Sequence, residues 1–207
     1  MALFPMFLNL ARRKCVVVGG STIAEAKINS LLNAEAEITV IAPSINIGVR
    51  QLASLGCVAL VEREFTGEDL SGAFLVIAAT SNGDVNRAVF EEAQRREVLC
   101  NAVDDPENCD FYFPAVAQRG ALQIAISTSG ESPALAQRLR GEIEEQLDSG
   151  TGDWLARVGD ARREILASIP PGELRKQLLH RLSTREICES AECPTRKLIA
   201  RAKESLQ

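Results

Sequence analysis

"KCVVVGGSTIAEAKINSLL" spans residues 14–32. Valines run into Gly19-Gly20, and apolar residues then recur at Ile23, Ala24, Ile28, Leu31 and Leu32. A continuous β-branched run marks a buried strand, and the later spacing marks one face of a helix. A strand that turns on glycines into a helix suits phosphate binding, because free amides at a positive helix end attract anions. The dinucleotide fingerprint G-x-G-x-x-G/A gives each small residue a task. Aligned on it, Gly19 makes the tight turn, Ser21 replaces the close-approach glycine and Ala24 lets the helix pack on the strand. Gly20 keeps the turn permissive. Ser21 puts a side chain on the pyrophosphate path, and its hydroxyl could donate to a phosphate oxygen. On this turn alone, dinucleotide binding and a Rossmann-like domain that has lost its ligand both stay open.

Outward from the turn the pattern repeats. "EITVIAP" (37–43) reads as a second strand, "INIGVRQLASLG" (45–56) as a helix closing at Gly56, and "VALVERE" (58–64) as a third strand. "AFLVIAAT" (73–80) and "VLCNAV" (98–103) are further strands around the helix "GDVNRAVFEEAQRRE" (83–97). Tight alternation of strands and helices implies a parallel sheet with right-handed crossovers. The expected fold is α/β: a Rossmann-like domain over 1–113, a small α+β region over 114–150 and a helical domain over 151–207. In the middle region, "FYFPAVAQRGALQIAISTSG" (111–130) holds strand-like pieces around Arg119-Gly120. Ser132 and Pro133 then open a helix that Gly150 is expected to close. The tail is helical and broken at "SIPPGE" (168–173).

Composition narrows the function classes. The hydrophobic share of 46% and the charged share of 25% are those of a globular protein. No apolar run reaches the roughly 18 residues of a membrane span. The N-terminal "MALFPMFLNLARRK" sets its apolar part before its basic part, the reverse of a secretory leader, and is expected to lead into the first strand. Residues 151–207 hold 11 Lys+Arg and 8 Asp+Glu, against 12 and 20 in residues 1–150. The acidic N-terminal part argues against nucleic-acid binding. Cysteines at 15, 57, 100, 109, 188 and 193 are expected as free thiols in the cytoplasm. Cys188-x4-Cys193 fits no standard zinc spacing, and His180, the single histidine, sits in a helical context, so no metal ligand is expected.

Candidate cofactor residues follow from the strand ends, where ligands bind in open parallel sheets. Thr22 and Ile23 open the first helix, whose amides would meet a pyrophosphate. The second strand ends in "VIAPSIN" (40–46), with Pro43 and Ser44 where a ribose-binding acid is usual. No arginine follows at once to receive a 2′-phosphate, which leans towards NAD over NADP. Ala79 and Thr80 end the fourth strand; Asn101 and Val103 end the fifth. Asp104 follows at the same sheet edge, as a turn residue before "DP" or as a proton acceptor. "STSGESP" (127–133) combines the hydroxyls of Ser127, Thr128, Ser129 and Ser132 with Gly130 and a helix N-terminus, which suits carboxylates. It equally suits simple capping at an interface. Arg119, Arg138 and Arg140 are near in sequence.

Together "LFPMFLNLARRKCVVVGGSTIAEAKINSLL", "FLVIAATSNGDVNRAV" and "CNAVDDPENCDFYFPAVAQRGALQIAISTSGESPALAQRLR" resemble the precorrin-2 dehydrogenase/sirohydrochlorin ferrochelatase module of siroheme synthase. The likeness covers roughly the first 150 residues; Ser21 departs from the family's usual triple glycine. The resemblance implies oxidation of precorrin-2 to sirohydrochlorin, with NAD⁺ taking a hydride and Asp104 as the acidic active-site residue. It implies a tetrapyrrole cleft, with Ser127, Thr128, Ser129, Gly130, Ser132 and Arg138 as its donors. It also implies an intertwined homodimer and, in some members, Fe²⁺ insertion as a further activity. A nucleotide-sensing module without chemistry is the alternative, as is a chelatase that has lost its dehydrogenase function.

Overall fold

The computed structural model describes residues 3–182 and 194–204. Cys188 and Cys193 lie outside the described residues. The chain divides into two compact units, Phe4–Phe113 and, with Met1–Leu3, Pro114–Gln207.

The first unit is a five-stranded sheet in the order β3-β2-β1-β4-β5. Its strands are β1 (Lys14–Val18), β2 (Glu37–Ile41), β3 (Ala59–Val61), β4 (Leu75–Ala78) and β5 (Leu99–Ala102), and every pairing is parallel. Helices α1 (Thr22–Leu32), α2 (Ile47–Ser54) and α3 (Gly83–Arg95) connect them. The alternation of side chains along β1 builds both faces of the core. Cys15 and Val17 pack with Ala24, Ile28 and Leu31 of α1 and Val49 of α2. Val16 and Val18 pack with Val89 and Ala93 of α3. From β1 the chain winds outward through β2 to β3, then returns to β4 on the other side. That reversal leaves a crevice beyond the carboxyl ends of β1 and β4, the ligand position of doubly wound folds.

Observed strands are shorter than the apolar runs that announce them. β3 keeps Ala59–Val61 of the run 58–64, because Arg63 turns away to bond Asp69 at 2.8 and 2.6 Å. The N-terminal segment, residues 3–9, has no regular structure; Phe4, Met6 and Phe7 are exposed, and Leu10 is the first buried side chain.

In the second unit β6 (Ala115–Arg119) and β7 (Leu122–Ile126) form an antiparallel hairpin, and α4 (Pro133–Gln146) follows. Ser132 caps α4 by accepting from the Leu135 amide at 3.2 Å. Gly150 does not close this helix. The chain leaves helical geometry at Leu147, and Gly150 instead precedes α5 (Thr151–Ser168). The cause is local: Asp148 takes both the amide and the hydroxyl of Thr151, at 3.2 and 3.0 Å, and starts the next helix. Helices α6 (Glu173–Arg181) and α7 (Pro194–Glu204) complete the unit around Ile165, Ile169, Leu178, Leu182 and Ile199. No helix among the described residues is long and apolar enough to cross a membrane.

Candidate cofactor and active site

The turn after β1 is glycine for reasons internal to the protein. Gly19 has φ +130°, and a Cβ there would lie 2.3 Å from the Ala79 carbonyl oxygen. At Gly20 a Cβ would lie 2.3 Å from the Ser44 carbonyl oxygen. The turn is pinned on both sides: the Gly19 amide donates to Ile41 at 2.9 Å, and the Asn46 amide donates to Gly20 at 2.8 Å. Ser21 needs no such freedom, with φ −80° and ψ 176°. It is the N-cap of α1, and its hydroxyl oxygen accepts from the Ala24 amide at 3.4 Å. Ser21 thus occupies one of the amides that a phosphate would otherwise find free at this helix end.

A cavity of about 650 Å³ opens over this turn. From the first crossover Gly19, Gly20, Ser21 and Ile23 line it; from the end of β2, Pro43 and Ser44. Ala79 and Thr80 line it after β4, Val103 and Asp104 after β5. Thr22 opens α1 but is not on the wall, and neither is Asn101. Asn101 is buried, and its amide donates to the Phe111 carbonyl at 2.8 Å and to Cys109 Sγ at 3.3 Å. It shapes the loop that carries Asp104 rather than the wall itself.

Asp104 is exposed on the cavity and has φ +61°, a left-handed conformation that Asp and Asn tolerate better than most residues. The hydrogen bond from the Val103 amide to the Ala78 carbonyl, at 2.9 Å, carries the β4–β5 register up to this residue. Asp105 does turn chemistry, accepting from Asn108 Nδ2 at 2.6 Å. Within electrostatic reach of Asp104 is a residue that the sequence pattern does not single out. Lys27 is half-buried on α1, with its ammonium 3.7 Å from the centroid of the Phe113 ring. Burial lowers its pKa, while the charges of Asp104 and Cys109 pull it back up. Lys27 lies one helical turn after Ile23, on the same face. In the sequence it looks like any lysine on the wet side of an amphipathic helix.

Further residues fix the wall from behind. Asn86, 5% exposed, accepts from the Thr80 amide at 3.2 Å and the Thr80 hydroxyl at 2.7 Å, and donates to the Thr80 carbonyl at 3.2 Å. Asn46 caps α2 by accepting from the Val49 amide at 2.8 Å, and its Nδ2 donates to Glu25 at 2.6 Å. Both are missed by periodicity, which registers apolar faces and not side chains that close a loop on itself.

The tetrapyrrole donors expected at 127–138 belong to the second unit. Ser127 accepts from the Ser129 amide at 3.1 Å and Thr128 from the Ser132 amide at 3.2 Å, so both hydroxyls keep their own protons to donate. Ser129 and Gly130 have φ +53° and +87°. Arg138 pairs with Glu142 at 3.1 Å on exposed α4 surface. Arg119 donates to the Glu144 carbonyl at 3.1 Å, and Arg140 pairs with the Glu144 carboxylate at 2.9 Å. Among the described residues no group of three or more His, Cys, Asp and Glu converges as a metal site.

A parallel sheet in this order, with a glycine turn at its reversal point and a cavity over it, defines a Rossmann-like nucleotide-binding protein. Residues 6–115 match the family described as "Putative NAD(P)-binding", and residues 119–146 match "Sirohaem biosynthesis protein central". The chain belongs to this family, as the N-terminal NAD(P)-binding and central module found in siroheme synthases. It is 38% identical over 182 residues to the siroheme synthase of Thioalkalivibrio sulfidiphilus, covering 88% of this chain and 37% of that protein. Against siroheme synthase 1 of Yersinia enterocolitica it is 38% identical over 208 residues, covering 100% of this chain and 43% of that protein. It thus spans less than half the length of these relatives. Among solved structures, "SirC, precorrin-2 dehydrogenase" superposes with a TM-score of 0.80 at 25% identity, covering 98% of this chain and 100% of that one.

Proposed function

We propose that this chain is an NAD-dependent precorrin-2 dehydrogenase of siroheme biosynthesis, with sirohydrochlorin as its product. One observation carries the reading: the glycine turn and the Asp104 carboxylate lie on the wall of one cavity. Its volume of about 650 Å³ is that of a cofactor site. The likeness to SirC over the full chain supports the same assignment. NAD⁺ supplies the hydride acceptor. The Gly19–Gly20 turn and the Ile23 amide at the start of α1 would hold the pyrophosphate, and Pro43 and Ser44 would border the adenosine. Ala79, Thr80 and Val103 would border the nicotinamide, and Asn101 holds their neighbouring loop. Oxidation removes a hydride and a proton from the macrocycle. Asp104 accepts that proton and, being exposed, passes it to solvent. Lys27 and Asp104 interact electrostatically across the end of the cavity. The hydroxyls of Ser127, Thr128, Ser129 and Ser132, the flexible Gly130 and Arg138 are the donor set assigned to the substrate's carboxylates.

Helix α4 packs against the β6–β7 hairpin, while Val116 of β6 stays exposed, and a homodimer built on this hairpin would cover it. Cys15, Cys57, Cys100 and Cys109 are free thiols, which suits the reducing cytoplasm.

The test is anaerobic turnover of precorrin-2 with NAD⁺, followed by the sirohydrochlorin spectrum and NADH absorbance. Asp104→Asn keeps the left-handed conformation and is expected to slow oxidation by about 100-fold or more, without changing the melting temperature or NAD⁺ affinity. Full turnover in that variant removes Asp104 from its role. NAD⁺ binding with no turnover by the unaltered protein favours a nucleotide sensor. Sirohydrochlorin with Fe²⁺ and no NAD⁺ reads metal insertion separately.

A further inference from the structure

The carboxyl edge of the sheet is long enough to sort the two ends of a dinucleotide. Strands β3 and β5 are the two edges of the sheet. Four inter-strand steps of about 4.8 Å separate them, roughly 19 Å in all. The cavity reaches from Glu64 and Phe65, which follow β3, to Val103 and Asp104, which follow β5. Among its lining residues Glu64 and Asp104 alone carry charge. One carboxylate therefore serves each end, and the wall offers no cation.

The adenosine ribose of a bound dinucleotide lies near the end of the second strand, where an acid usually takes its 2′-hydroxyl. Here that strand runs into Ala42, Pro43 and Ser44, without an acid. Glu64 enters the same end of the cavity from the neighbouring strand β3. Two arginines lie near in sequence, and each is already engaged. Arg50 grips Glu62 with both terminal nitrogens, at 3.0 and 2.9 Å. Arg63 grips Asp69 likewise, at 2.8 and 2.6 Å, and also donates to the Glu64 carbonyl at 2.8 Å. Asp69 is itself held by the Thr66 amide at 2.8 Å. Neither arginine lines the cavity. A 2′-phosphate at this end would meet a carboxylate and no available guanidinium.

Given that the cavity holds NAD, on which this assignment rests, we propose that Glu64 replaces the missing strand-end acid. It accepts hydrogen bonds from the adenosine ribose hydroxyls and repels a 2′-phosphate. Glu64 is thus the residue that selects the unphosphorylated dinucleotide.

The experiment is calorimetric titration of the whole chain, without tetrapyrrole, with NAD⁺, NADP⁺, ADP-ribose and nicotinamide mononucleotide. Glu64→Gln is expected to weaken NAD⁺ and ADP-ribose by about tenfold, the effect of one charge-assisted hydrogen bond on a solvent-accessible site. Nicotinamide mononucleotide binding is expected to stay unchanged. Glu64→Arg is expected to raise NADP⁺ affinity above that of NAD⁺. Glu64 is exposed and ends no element, so both variants are expected to melt with the unaltered protein. Equal affinities in Glu64→Gln and the unaltered protein, for both NAD⁺ and NADP⁺, overturn the proposal while leaving NAD binding intact. Failure of the unaltered protein to bind either dinucleotide overturns the NAD reading and this assignment together.

Discussion

Replacing Gly19 by alanine tests the central geometric claim, that the β1 turn is squeezed against the end of β4. The new Cβ would lie 2.3 Å from the Ala79 carbonyl oxygen and 2.7 Å from its carbonyl carbon. Both are backbone atoms, so no side chain can swing aside. Ordinary contact requires the two segments to part by about 1 Å. They are tied there by the bond from the Ala79 amide to Val18, at 2.8 Å, and from the Gly19 amide to Ile41, at 2.9 Å. A non-glycine residue at φ +130° costs about 1–3 kcal/mol of backbone strain. Overpacking of this kind adds about 1–3 kcal/mol. The sum, about 2–6 kcal/mol, removes a large part of a domain stability of about 5–15 kcal/mol. For a unit near 100 residues each kcal/mol lowers the melting temperature by about 4–8 °C, so the expected drop is at least about 8 °C.

The assay is thermal unfolding by circular dichroism, with Gly56→Ala as the control. Gly56 has φ +72°, and a methyl group added there would meet nothing within 4 Å, so that variant reports conformational strain without a clash. Its expected cost is about 1–2 kcal/mol. Gly19→Ala melting no lower than Gly56→Ala would refute the close approach of the two segments.

Three other outcomes are expected. Ser21→Gly frees the Ala24 amide for a phosphate and is expected to tighten NAD⁺ by up to about tenfold, with only a few tenths of a kcal/mol lost from the helix cap; unchanged or weaker affinity by calorimetry counts against this account of the turn. The Arg63 guanidinium holds the Asp69 carboxyl below its ordinary value of 3.8. A depressed folded pKa contributes stability that is complete above 3.8 and is lost as pH falls through the folded value. The urea-midpoint gap between the unaltered protein and Asp69→Asn should therefore close below pH 3.8, and a gap that widens on acidification would contradict the pairing. Burial pushes the thiol of Cys15 up to about 11 and that of Cys100 up to about 12, so iodoacetamide should label exposed Cys57 before either of them in the native protein. Peptide mapping that finds Cys100 labelled as fast as Cys57 would show that the core opens readily.

Most of the first unit is legible in the sequence because its strands are buried on both faces. Parallel strands under two helical layers must be apolar throughout, and Cys15–Val18, Ile38–Ile41 and Leu75–Ala78 announce themselves by continuity. Where the sequence misleads, a local bond competes with the pattern. Gly150 has the right residue type and position to end α4, yet Asp148 captures Thr151 and turns that glycine into the start of α5. The run 58–64 overstates β3, because Arg63 and Glu64 leave the ladder for an ion pair and for the cavity wall. The backbone side of the cavity wall, from Gly19 to Asp104, is legible because strand ends meet at one edge in this topology. Lys27, Asn86, Asn46 and Glu64 are not, since each comes near this edge only once separate crossovers are brought together.

The glycine pair has a double meaning that bears on how far any such motif can be trusted. In the fingerprint, the glycines are explained by the ligand: one lets the backbone approach the pyrophosphate. Here the atoms that forbid a Cβ at Gly19 and Gly20 are the protein's own, Ala79 and Ser44. A domain that had lost its cofactor would still need both glycines to pass β1 between its neighbours. The fingerprint position where only a ligand could demand glycine is therefore the third residue of the turn, and Ser21 holds it with an ordinary extended backbone and a capping bond. The motif thus reports the sheet more than the cofactor. What speaks for the cofactor is where the turn lies, in the wall of a cavity that runs along the strand ends to Asp104. If Ser21→Gly and Glu64→Gln change NAD⁺ affinity in opposite directions while Gly19→Ala destabilises the fold, the scaffold role of the glycines and the ligand role of the wall are separated by experiment.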